Sequence, residues 1–141
     1  MFRPALAIVF AAFVLQPSLA QESAATSQLA LELNALQPAA AGCRVTFLAT
    51  NTLPAPIDRA AVEIAFFVQD GGIDRIMTLD FKELTVGKTK VLQFELGDLA
   101  CPQISRLLIN DITACEGIDL APTACLDGLV TTQRPDIVFG I

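Results

Sequence analysis

AVEIAFFVQDGGIDRIMTLDF, residues 61–81, reads as a β-hairpin and decides the fold. Val62, Ile64, Phe66 and Val68 recur at every second position, which is the period of a strand with one face buried. Asp70-Gly71-Gly72 supplies a tight turn, since glycine reaches backbone angles that other residues avoid. The returning strand, Ile73 to Phe81, carries Met77, Leu79 and Phe81 in register with the first.

The same period extends in both directions from the hairpin. Upstream, Leu29, Leu31 and Leu33 alternate with Ala30, Glu32 and Asn34, and Cys43, Val45, Phe47 and Ala49 alternate with Arg44, Thr46 and Thr50. Pro38 and Gly42 separate these two strands, and Asn51 to Pro56 is a loop by its prolines. Downstream, Lys90, Leu92, Phe94 and Leu96 alternate with Val91, Gln93 and Glu95 after a break at Gly87. Ile104 to Ala114 is the sixth strand, although its apolar residues on both sides also admit a short helix. Leu126 to Thr132, with the apolar end Ile137 to Ile141, supplies the last. About seven short strands without a helical period between them predict an all-β, immunoglobulin-like two-sheet antiparallel sandwich.

The first twenty residues read differently. Arg3 is a positive n-region, Ala5 to Leu15 an apolar h-region, and Ser18-Leu19-Ala20 a small-x-small cleavage site, the pattern of a signal peptide cleaved after Ala20. Residues 21–27 are small and polar, as in a flexible leader, so the expected organisation is signal peptide 1–20, leader 21–27 and one sandwich domain over 28–141. The expected location is periplasmic or secreted. Without Arg3, eight basic residues face fifteen acidic ones, a net charge of −7. That balance disfavours nucleic acid and anionic lipid surfaces, which need a basic patch. No later apolar run reaches the roughly 18 to 20 residues that span a bilayer.

An oxidising compartment permits disulfides, and the chain has four cysteines, Cys43, Cys101, Cys115 and Cys125. Four allow three pairings, and the strand order chooses among them. Cys43 begins the second strand and Cys101 precedes the sixth, which places both at one end of the sandwich. Cys115 ends the sixth strand and Cys125 begins the seventh, across one loop. The predicted pairs are Cys43–Cys101 and Cys115–Cys125. The competing reading, a redox or metal site, lacks a CxxC motif and any histidine.

Val45 to Leu96 resembles the small bacterial immunoglobulin-like modules of the FxLYD type, through the strand ending in Ala49-Thr50-Asn51, the strand from Val62 closed by Asp70-Gly71-Gly72, and Leu84-Thr85-Val86-Gly87 leading to the strand through Phe94. The whole chain is similar in pattern to small periplasmic proteins of Gram-negative bacteria. Neither resemblance implies an activity or carries over a functional residue.

With no histidine, a Ser-His-Asp or Cys-His device is impossible, and with no Trp or Tyr the usual sugar-stacking and interface aromatics are missing. The chain is read as non-enzymatic, without cofactor or metal. Asp70, Asp74, Asp111, Glu116, Asp119 and Asp127 are oxygen ligands in principle for calcium, but match no EF-hand and read as solvated turn carboxylates. The informative excess is apolar. If Val62, Ile64, Phe66 and Val68 fill the core, Ala61, Ala65 and Phe67 point outward, joined by Ile76 and Leu108 from neighbouring strands. An exposed patch of this kind marks a partner surface, here an envelope protein or a second copy. Two alternatives stand beside it: Pro135 to Ile141 folds back over the patch, or that segment adds to a partner's sheet edge. A different class, a small inhibitor or ligand-binding protein, would use the acidic loops from Asp111 to Asp127.

Overall fold

The structure, a computed structural model, describes residues 26–141. Eight strands follow one another: β1 Leu29–Ala39, β2 Gly42–Asn51, β3 Ile57–Val68, β4 Ile73–Leu84, β5 Thr89–Gly97, β6 Ile104–Glu116, β7 Leu129–Gln133 and β8 Val138–Gly140. A first sheet has the order β5-β2-β1-β7 and a second the order β4-β3-β6-β8. The third, fourth and sixth strands share one sheet, as the immunoglobulin-like reading requires. The β3–β4 turn closes as the glycines predict: Gly71 has φ +88°, and Asp70 Oδ1 accepts the Gly72 N–H at 2.7 Å.

Alternate residues of both sheets meet in one core. Leu29, Leu31 and Leu33 of β1, Val45 and Phe47 of β2, Val62, Ile64 and Phe66 of β3, and Leu107 and Ile109 of β6 are all buried within it. Phe47 sits at its centre, with ring centroids 5.6 Å from Phe81, 6.1 Å from Phe94 and 5.4 Å from Phe139. One polar side chain is sealed in fully. Asn51 donates to the carbonyls of Ala55 and Leu84 and accepts from Leu53 N–H at 2.9 Å, so no bonding group is stranded and the β2, β3 and β4 ends are tied together.

Cys43–Cys101 and Cys115–Cys125 are disulfides, the pairing that the strand order predicts. The first joins β2 of one sheet to the 3-10 turn Cys101–Gln103 that leads into β6 of the other. Ile104–Glu116 is a strand, not a helix.

The C-terminal quarter departs from the expectation. The expected seventh strand from Leu126 instead begins with a helical turn, α1, Ala124–Asp127, which carries Cys125 against Cys115 and ends at Gly128. β7 then pairs parallel with β1, and β8 pairs parallel with β6, so the last segment is divided between the two sheets. Pro135 cannot continue the β1 ladder, and the chain turns so that Phe139 enters the core, 3 % exposed. This arch closes one side of the sandwich. The signal peptide over 1–20, and residues 21–25 of the leader, lie outside the described residues. At Thr26 the leader is held by Thr52, whose hydroxyl donates to the Thr26 carbonyl at 2.9 Å.

Candidate binding surface

The outward residues of the second sheet line up in cross-strand rows. Ala65 of β3 lies opposite Ile76 of β4 and Leu108 of β6, and Leu108 opposite Gly140 of β8. One step along, Phe67 lies opposite Ile73 and Arg106, and Arg106 opposite Val138. Residues paired across strands share a face, so Ile73, Ile76, Phe67, Leu108 and Val138 form one apolar area at the end of the sheet nearest the Asp70–Gly72 turn. Ile73 and Ile76 are each 52 % exposed and Val138 58 %, whereas Phe67 and Leu108 are half-buried. The Arg106 guanidinium lies 5.4 Å from the Phe67 ring centroid, a cation–π contact that covers part of the ring.

Two expectations need correction. Ala65 and Ala61 are not exposed: they are 2 % and 0 % accessible, yet stand outside the core cluster. A single methyl on a pleated surface lies below the longer side chains on either side, so Ala65 floors the area between Ile76 and Leu108 and offers no contact surface of its own. Nor does Pro135 to Ile141 cover the area. It extends the same sheet at the β6 edge, adds Val138 to the apolar row, and leaves Ile141 73 % exposed.

The other half of this face is polar and internally paired. Asn110 donates to Glu63 at 2.6 Å, and Arg59 reaches both Asp80 and Glu116. The Lys82 N–H, at 2.9 Å, and then its ammonium, at 3.1 Å, hold the Asp80 carboxyl below the ordinary carboxylate range. Glu83 is lowered too, by its own backbone N–H and by the Lys90 ammonium.

The acidic alternatives are dispersed. Asp70 is engaged by its own turn and Asp74 by Arg75. Among the described residues no three Asp, Glu, Cys or His side chains converge as metal ligands. A cleft of about 360 Å³ opens between Val68, Gln69, Asp70, Asp74, Asp98, Leu99 and Gln103, at the end of the sandwich that carries Cys43–Cys101. The loop between β6 and α1 is pinned by Cys115–Cys125 and presents Ile118, 95 % exposed, beside Asp119. Sequence reasoning missed this isoleucine, although an apolar residue isolated between Gly117 and Asp119 in a disulfide-bounded loop was its signal. It also missed Ile73 and Val138, which reach the surface row through the bulge at Asp74 and the β8 addition.

Neither a protein-family model, nor a characterised protein, nor a solved structure matches this chain.

Proposed function

We propose that this protein is an exported, non-enzymatic binding or structural module of the cell envelope, and that it contacts a protein partner or itself through the apolar half of the second sheet's outer face. One observation carries the reading: the β3–β4 hairpin and the later strand β6 place Ile76, Phe67 and Leu108 side by side on a face that, among the described residues, no other strand or loop lies across. Burial of such a surface drives association without help from charge, which suits an acidic protein. Both disulfides fit an oxidising compartment, and no helix among the described residues is long and apolar enough to cross a membrane. The signal-like residues 1–20 supply the export route.

The test is capture from an envelope extract on immobilised residues 21–141 with disulfides intact, beside a folded Phe67→Asp variant. A protein held by the first and lost by the second supports the reading. Equal capture by both overturns it.

A second reading, an inhibitor or ligand-binding protein acting through its acidic loops, is favoured by Ile118, presented on a loop that a disulfide pre-organises. Loss of capture by Ile118→Ala, with Phe67→Asp unaffected, would select it.

A further inference from the structure

We propose that the partner of this surface is a second copy of the chain, and that the two copies join by antiparallel pairing of their β4 strands about Ile76, so that two four-stranded sheets become one. The inference rests on the apolar-face reading above and names its occupant.

β4 is an outer strand of the second sheet, paired with β3 on one side and, among the described residues, with no strand on the other. A bare edge is a template for another strand, and proteins blunt the edges they keep free with lysines and bulges. β4 is blunted along one part only. At its C-terminal end the Lys90 ammonium reaches across from β5 and donates to the Phe81 and Glu83 carbonyls at 3.4 and 3.1 Å. There Lys82 also takes a left-handed φ of 60°, and the register with β3 slips on both sides of Ala60. From Arg75 to Leu79 the register is unbroken, and neither a lysine nor a proline stands in the segment. The unprotected stretch carries the exposed Ile76.

Charge and the Lys90 cover together select the alignment. Opposite residues in an antiparallel pair share a face, so the two-fold axis must pass through a residue that faces itself. Centring on Arg75 sets like charges directly opposite, centring on Met77 sets Ile76 against the Thr78 hydroxyl, and centring on Thr78 draws in Phe81 and Lys82 from the end that Lys90 covers; each is less favourable. Centring on Ile76 sets isoleucine against isoleucine and Arg75 against methionine, and keeps the pair within the stretch between the bulge at Asp74 and the end that Lys90 covers. The row Leu108–Ala65–Ile76 then continues into its symmetry mate, and the apolar area that stops abruptly at the β4 edge becomes the middle of a continuous surface. The β5 edge offers less: pairing centred on Val91 would set the Lys90 ammonium, now bound to β4 carbonyls, against leucine.

Single-cysteine crosslinking tests this, because all four native cysteines are in disulfides and an introduced thiol has no internal competitor. Ile76→Cys, Thr78→Cys and Val91→Cys are oxidised mildly in residues 21–141, and wild type and Ile76→Lys are sedimented at roughly 1 to 100 μM. The expected result is a disulfide-linked dimer for Ile76→Cys formed at least about tenfold faster than for the other two, since only position 76 brings two Cα atoms within bridging distance. Wild type should sediment as a dimer and Ile76→Lys as a folded monomer. A monomeric wild type, a dimer that survives Ile76→Lys, or faster crosslinking at Val91→Cys or Thr78→Cys overturns the pairing. A monomer whose capture of another protein still depends on Phe67 overturns the pairing alone and spares the face.

Discussion

The two outer faces of this sandwich rest on the same core and are finished differently. On the first sheet, outward residues are matched across strands: Arg44 to Glu95 at 2.8 Å, Thr50 to Thr89 at 2.8 Å, and Gln93 to Thr46 at 3.2 Å. Its most exposed aliphatic, Val91 at 62 %, stands among these polar pairs, with Leu48 opposite it and Glu32 beyond. On the second sheet, the half around Arg59 and Asp80 is matched in the same way, but the half around Ile76 carries two adjoining apolar rows, Ile76–Ala65–Leu108 and Ile73–Phe67, where the single Val91–Leu48 pair of the first sheet ends on Glu32. Scattered exposed aliphatics are ordinary, whereas contiguous ones carry a cost in water that a contact removes. The difference teaches that exposure of a single residue says little here, and that cross-strand register decides which exposed residues act together.

Removing what both faces share should abolish the contrast. Phe47 lies beneath both sheets, so Phe47→Ala should cost about 3 to 5 kcal/mol in denaturant unfolding and degrade the two faces together. Loss of Cys43–Cys101 by paired serine substitution should cost about 4 kcal/mol, against about 3 for Cys115–Cys125, on the loop-closure estimate for separations of 58 and 10 residues. The second deletion loosens the Ile118 loop and α1, which lie apart from the Ile76 area, and partner binding should survive it wherever the protein remains folded.

The contrast itself sharpens with one aspartate on each face. Phe67→Asp should weaken partner binding by at least about tenfold, and Val91→Asp by no more than about twofold, while calorimetric stability falls by about 1 kcal/mol or less in both. A symmetrical loss would break the comparison. The smallest effect belongs to the polar half. Asp80 has its folded pKa depressed, so its contribution to stability is present above the ordinary carboxylate pKa and is lost as pH falls through the lower folded value. Asp80→Asn should therefore flatten the acid side of the stability–pH curve slightly and, since the contribution of so exposed a group is small, shift the neutral plateau little.

Much of this was legible in the residues. β1 through β5 each turn one face of large apolar residues to the core, so a period of two survives in the sequence; β6, apolar on both sides, left a short helix open, and the positions of Cys43, Cys101, Cys115 and Cys125 relative to the strands chose the pairing. The arch from Leu129 to Gly140 was not legible. β7 and β8 are short, pair in parallel with partners about 100 and 30 residues upstream, and owe their place to Phe139 filling a gap in the core, which no local pattern announces. The surface was half legible. Alternation identified Phe67, Ile76 and Leu108 as outward, but the burial of Ala65 depends on the length of its cross-strand neighbours, and the exposure of Ile73 on a bulge.

Hydrogen exchange of residues 21–141, free and bound to the partner, whether a captured protein or the second copy at high concentration, tests the central claim most directly. The account predicts slowed exchange over 64–68, 73–78 and 106–108, with β5 and the 117–123 loop unchanged. Protection confined to that loop or to β5 would contradict it.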